Sequence, residues 1–141
     1  MKQKILHAED DRMFAYFVRR VLEKQGFSVC SASDGEQAWS MFLAEEPDYC
    51  LLDIVMPGIS GIDLGEKIRA RNRLVPIFYL SGEDFFSVQS EIYGRGGADG
   101  FLSKADSIPN LSKSIKGLIK QCKTDDKQSY GQGSRQVDIR Y

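Results

Sequence analysis

The feature that most constrains this chain is an alternation: a short apolar run, then an amphipathic one, five times over. Lys4 to Ala8 is mostly apolar and leads into three acids, Glu9, Asp10 and Asp11. Phe14, Val18, Val21 and Leu22 then share one helical stripe, which predicts a helix ended by Gly26. Phe27 to Ala32 reads as a second strand. Asp34-Gly35 marks a helix start, Ala38, Met41 and Phe42 form that helix's buried side, and Glu46-Pro47-Asp48 breaks it. Tyr49 to Ile54 is a third strand with Asp53 near its end, followed by the breaker loop Met56-Pro57-Gly58. Ile62, Leu64, Ile68 and Ala70 fit a third helix. Val75 to Leu80 is a fourth strand, and Ser81-Gly82-Glu83-Asp84 caps a fourth helix that ends at Gly94. Ala98 to Ser103 is a fifth strand, and Leu111, Ile115, Leu118 and Ile119 define a fifth helix over Ile108 to Ile119.

Strands that alternate with helices favour a parallel sheet covered on both faces. The third and fourth strands are near-continuously apolar, as doubly covered strands are. Right-handed crossovers leave a doubly wound open α/β sheet as the expected architecture. A closed eight-unit barrel takes about 250 residues, and this chain has 141. One domain over residues 1–122 is expected. From Lys123 the sequence turns polar, with Val137 and Ile139 as its only aliphatics, and residues 123–141 are expected to form a flexible tail. Nineteen basic against 20 acidic residues leave a net charge of −1, which provides no electrostatic case for nucleic acid or a membrane surface. The longest apolar run, Val75 to Leu80, is far too short to span a bilayer. Cys30, Cys50 and Cys122 are odd in number and lack CxxC spacing, which argues against a disulfide scaffold or a zinc site and fits a reducing cytoplasm.

In open α/β sheets the ligand site lies at the carboxyl ends of the strands. Those ends deliver Glu9 and Asp10 from the first strand, Asp53 from the third, Ser81 from the fourth and Lys104 from the fifth. Taken singly, each could be an ordinary surface or capping residue. Together they put three carboxylates, a hydroxyl and an ammonium on one rim. Clustered carboxylates repel, so either one takes a proton or a divalent cation sits among them. Oxygen-only ligands favour Mg²⁺ over zinc or copper. Lys104 and Ser81 would then contact phosphoryl oxygens, a set suited to phosphoryl transfer. A carboxylate can itself be the nucleophile, and Asp53 is the best placed, on the central strand.

The segments ILHAEDD, PDYCLLDIVMPGISGIDL, PIFYLSGED and GADGFLSK resemble those of response-regulator receiver domains of two-component signalling, in order and at matching spacing over about residues 4 to 122. The resemblance implies a flavodoxin-like (β/α)5 fold with strand order 2-1-3-4-5. It implies that Asp53 accepts a phosphoryl group from the phosphohistidine of a histidine kinase or histidine phosphotransfer protein. It also implies Mg²⁺ held by Glu9, Asp10, Asp53 and the backbone carbonyl of Val55, phosphate bound by Ser81 and Lys104, and a Ser81–Phe101 switch. That switch would act on a partner surface made by the fourth helix, fifth strand and fifth helix. Where the family's lysine precedes a proline this chain has Ala105, so the Lys104–Ala105 bond is expected to be trans, with Lys104 aimed less squarely at phosphate. Asp106-Ser107 would cap the fifth helix. His7 replaces an aliphatic residue and is expected to be packed and satisfied rather than a ligand, and Trp39 is expected to pack.

The expected function is thus a phosphorylatable receiver that catalyses only its own phosphorylation and dephosphorylation. The alternative is a phosphorylation-independent pseudo-receiver acting as a protein-binding module. A Mg²⁺-dependent phosphatase with an Asp nucleophile usually carries a second Asp two residues on, and here that position is Val55. After the fifth helix the remaining residues are too few and too polar for a helix-turn-helix domain. A stand-alone receiver, or one cut from a longer chain, with no nucleic-acid contact of its own, is the expectation.

Overall fold

The computed structural model describes residues 2–128. Ten elements alternate along the chain: β1 (Lys4–Ala8), α1 (Arg12–Lys24), β2 (Ser28–Ala32), α2 (Gly35–Glu45), β3 (Tyr49–Leu52), α3 (Gly61–Arg71), β4 (Ile77–Ser81), α4 (Phe85–Gly94), β5 (Gly100–Ser103) and α5 (Ile108–Gln128). The five strands form one parallel sheet in the order β2-β1-β3-β4-β5. Each strand sends alternate side chains to opposite faces. On one face Leu6, Cys50, Leu52, Ile77, Tyr79 and Phe101 meet Phe42, Leu64, Ile68 and Ile92 from α2, α3 and α4. On the other, Ile5, Tyr49, Leu51, Phe78, Leu80 and Leu102 meet Val18 and Leu22 of α1 and Leu111, Ile115 and Leu118 of α5.

Four helices begin with an acid or hydroxyl that accepts a backbone N–H. Asp11 takes that of Phe14 at 3.0 Å and Asp34 that of Gln37 at 2.7 Å. Ser60 takes that of Asp63 and Asp84 that of Ser87, each at 3.2 Å. Such caps satisfy donors that have no partner inside the helix. Ser107 starts α5 in the same way, its hydroxyl 3.4 Å from the Asn110 N–H. At the end of α2 the backbone turns left-handed at Glu46 (φ 47°), one residue before Pro47.

Several boundaries differ from the expected ones. β4 begins at Ile77 rather than Val75, because Pro76 has no N–H to give the ladder and contributes only its carbonyl, to the Cys50 N–H at 2.9 Å. β3 closes at Leu52, although the Asp53 N–H still donates to the Ala8 carbonyl at 2.9 Å. β2 and β5 start later than expected, at Ser28 and Gly100. The fifth helix extends well past Ile119, to Gln128, so residues 123–128 of the expected tail are helical. The rest of that expected tail, 129–141, lies outside the described residues.

Candidate functional site

The strand order changes direction between β1 and β3, and the crevice that opens there, at the carboxyl ends, is where open α/β sheets bind ligands. Glu9 and Asp10 follow β1 and Asp53 follows β3. Carboxylate oxygens of all three lie within 4.8 Å of one another. Lys104, at the end of β5, reaches back across the crevice. Its Nζ lies 2.6 Å from Glu9 Oε1 and 2.9 Å from Asp53 Oδ2. Backbone bonds hold both ends of this reach: the Lys104 N–H donates to the Ser81 carbonyl, and the Glu9 N–H to that of Ala32, each at 2.9 Å.

Burial sets the electrostatics. Glu9 is 2% exposed and Asp53 5%, whereas Asp10 faces solvent. Burial pushes the Glu9 carboxyl up to about 6, against the pull of the Lys104 ammonium and the Asp11 N–H, which donates to Glu9 Oε2 at 3.0 Å. For Lys104, burial disfavours the ammonium, but the bonds to Glu9 and Asp53 outweigh it and its pKa is raised. Asp53 Oδ1 accepts the Ile54 N–H at 2.8 Å, which orients the carboxylate.

This donor set fits a hard divalent cation. Three carboxylates converge, no nitrogen or sulfur ligand among the described residues stands with them, and a cationic ammonium already bridges two of the three. Val55, whose carbonyl the resemblance makes a fourth ligand, lies in the β3–α3 loop and is 62% exposed. That loop is tightly built: Gly58 takes φ 77°, and a β-carbon at Gly61 would collide with the Asp53 carbonyl and Ile54. Ser81, at the end of β4, is 1% exposed, and its hydroxyl accepts the Glu83 N–H at 3.1 Å. Phe101 is 3% exposed and packs inward against Phe85, ring centroids 5.1 Å apart.

The structure thus brings Glu9, Asp10, Asp53 and Lys104 together, with Ser81 at the neighbouring strand end. Among the described residues there is no cis peptide bond, so Lys104–Ala105 is trans. With that trans bond the Lys104 ammonium touches Asp53. His7 is packed, at 1% exposed, but it is not satisfied, because neither ring nitrogen has a hydrogen-bond partner among the described residues. Burial, with Lys104 adding to it, lowers its pKa to about 3. Trp39 packs on Phe42, with ring centroids 5.7 Å apart. Phe14, on the core stripe of α1 and one of three aromatic residues that crowd this helix just after the acids, also borders the site: its ring lies 5.0 Å from Lys104 Nζ. Its place four residues after Asp10, one helical turn above the acids, is the signal that points to it.

Comparison with known proteins agrees with this geometry. Residues 5–116 match the response regulator receiver domain. Response regulator MprA of Mycobacterium leprae is 34% identical over 124 residues, which are 87% of this chain and 54% of that protein. The chain spans about half the length of the curated relatives it matches. The receiver domain of the Francisella response regulator 1452 superposes with a TM-score of 0.74 at 28% identity, covering 85% of this chain and 98% of that one. The chemotaxis response regulator CheY4 of Vibrio cholerae shares the fold, with a TM-score of 0.77 at 24% identity over 84% of this chain and 99% of that one. A family match across most of the chain, and a relative one-third identical along nearly all of it, establish that the chain belongs to the response regulator receiver domains of two-component systems.

Proposed function

We propose that the chain is a phosphorylatable receiver in which Asp53 accepts a phosphoryl group from a phosphohistidine. The observation that carries this reading is the Lys104 ammonium, held at 2.9 Å from Asp53 inside a cluster of three carboxylates. A carboxylate oxygen of Asp53 attacks phosphorus, and the bond from phosphorus to the donor's imidazole nitrogen breaks. The electron pair of that bond returns to the imidazole, and an acyl phosphate is left on Asp53. Lys104 offers its charge to the phosphoryl oxygens, and the Ser81 hydroxyl lies one strand away to donate to them. Glu9, Asp10, Asp53 and the Val55 carbonyl would hold Mg²⁺. When bound, that ion neutralises charge on the transferring group. The proteins of this family are signalling proteins rather than turnover enzymes, and the chemistry here ends on the protein itself.

The donor would be a histidine kinase or a histidine phosphotransfer protein. Met13, Phe17, Val55 and Phe86 are between 47% and 70% exposed on α1, the β3–α3 loop and the start of α4, and they supply apolar contact for it. Output would run through Ser81 and Phe101 to a protein partner on the α4–β5–α5 face. A two-state shift there needs only a local charge change that favours one packing. We place the protein in the cytoplasm; its three free cysteines support that. No helix among the described residues is long and apolar enough to cross a membrane.

The test is incubation with acetyl phosphate, with Mg²⁺ or with EDTA, followed by intact-mass and peptide mass spectrometry. One phosphoryl group on Asp53, dependent on Mg²⁺ and absent in Asp53→Asn, is the expected result. A folded protein that gains none is instead a phosphorylation-independent binding module. A folded Asp53→Asn variant that still gains one at an adjacent site overturns the assignment of Asp53.

A further inference from the structure

We propose that Phe14 is the positioning residue for Lys104, its ring face seating the ammonium beside Asp53. The inference rests on the reading of Asp53 as phosphoacceptor and adds the device that aims its cation. Lys104 ends in a compact ammonium on a flexible four-carbon stem, so its direction has to be imposed from outside. The residues that follow it, Ala105 and Asp106, are exposed and give the stem no wall. Two of its restraints are the carboxylates of Glu9 and Asp53. These are the oxygens that a divalent cation would take, and a cation bound there weakens both ion pairs.

The third restraint is of another kind. It is the face of the Phe14 ring, whose centroid lies 5.0 Å from Lys104 Nζ, and the negative face of a ring attracts an ammonium. A hard cation takes oxygen ligands and does not compete for that face. The ring is itself fixed. Phe14 sits in the first turn of α1, where its N–H donates to the capping Asp11 carboxylate at 3.0 Å, and its side chain packs against the α1–α5 core. Lys104 is anchored at its backbone to Ser81. The ammonium therefore keeps one contact on the Asp53 side of the crevice whatever occupies the carboxylates. Leucine at position 14 fills the same core but offers no ring. The stem then samples other rotamers, and the fraction of molecules with the ammonium in place falls.

The test compares Phe14→Leu and Phe14→Tyr in the full chain, with acetyl phosphate and Mg²⁺ as the probe. Phe14→Leu is expected to lower the phosphorylation rate constant at saturating acetyl phosphate about three- to tenfold, the range that an ammonium–ring contact of this kind supports. The apparent KM for the donor stays unchanged, and Phe14→Tyr, which keeps the ring, stays close to the native rate. The second readout needs no phosphorylation. The ε-methylene protons of Lys104 are displaced upfield by the ring in the native protein and in Phe14→Tyr, and return toward ordinary lysine positions in Phe14→Leu. A Phe14→Leu protein that reacts as fast as the native one overturns the proposal. So does a Phe14→Tyr protein as slow as Phe14→Leu, or lysine resonances that do not move. If Phe14→Leu does not fold, Phe14→Met replaces it with the same readouts. If the native protein gains no phosphoryl group, the reading of Asp53 fails, and the resonance displacement alone decides the positioning.

Discussion

Replacing Lys104 by methionine keeps most of the side-chain volume and deletes the charge that bridges Glu9 and Asp53. The loss this causes should depend on pH, and its size can be worked from Glu9. The unfolded carboxyl titrates near 4.5 and the folded one near 6. Between those values the native state binds more protons than the unfolded state, so native stability falls as pH rises through the window and is fully present only below it. At pH 7 this already costs the native protein about 2 kcal/mol, from 1.5 pH units at 1.36 kcal/mol each. Without the ammonium the Glu9 carboxyl rises further. Its contribution then approaches a ceiling of about 3.4 kcal/mol at pH 7, the cost of keeping Glu9 protonated across 2.5 pH units. The Glu9 part of the change is therefore at most about 1.4 kcal/mol at pH 7. At pH 5 folded Glu9 is mostly protonated with or without Lys104, and its part nearly vanishes. Asp53, left without its charged donor, adds about 1.5–3 kcal/mol.

Urea unfolding in EDTA, followed by the fluorescence of Trp39, measures this directly. Lys104→Met should be less stable than the native protein at both pH values, with the gap wider at pH 7 than at pH 5 by up to about 1.4 kcal/mol. Added Mg²⁺ should stabilise the variant more than the native protein, because no ammonium competes for the oxygens. An equal gap at both pH values, or a variant more stable than native at pH 7, refutes the reasoning.

Arg69 donates to the carbonyls of Arg73, Val75 and Gly97 and to Asp99 Oδ2, which also accepts the Ile77 N–H. Arg69→Met leaves Asp99 buried without its cation and should cost about 3–5 kcal/mol in urea unfolding, with part of the loss recovered in Arg69→Met/Asp99→Asn. A loss below 1 kcal/mol would show that water replaces the arginine. Burial pushes the Cys50 thiol up to about 12, so iodoacetamide at pH 8 should leave Cys50 untouched in the native protein and modify it only on unfolding, as read by peptide mass spectrometry.

The parts of this fold legible from the sequence are those in which a physical demand acts on neighbouring residues. Strands covered on both faces must be apolar along their length, and Tyr49–Leu52 and residues 77–80 show it, buried throughout. Helices must satisfy their first N–H groups, and Asp34 and Asp84 mark two such starts. The acids at the strand ends were visible for the same reason, since each stands just past a readable strand. The end of α5 was not visible. Residues 123–128 carry no apolar period, and a helix anchored by Leu118, Ile119 and Cys122 continues into them by adding one hydrogen bond per residue fixed.

What stayed hidden are pairings between residues far apart in sequence. Arg69 and Asp99 are 30 residues apart and Lys104 and Asp53 are 51, and no local pattern announces either bond. His7 shows the same limit from the other side. Its place in β1 foretold burial, but whether its nitrogens are met depends on Ser31, across the sheet in β2, and on what α1 lays over them. The Ser31 hydroxyl opposite is itself buried without a hydrogen-bond partner among the described residues. Buried polar groups without protein partners are costly, and an ordered water commonly relieves that cost. The strand pattern can require that a residue be inside; only the packing of other elements decides what it meets there. The candidate site is legible at residue level because its chemistry demands several charged groups on one rim. Its aim is not, because the aim of Lys104 is set by Glu9 and Phe14 at the β1–α1 junction and by Asp53 after β3, both far from it in sequence.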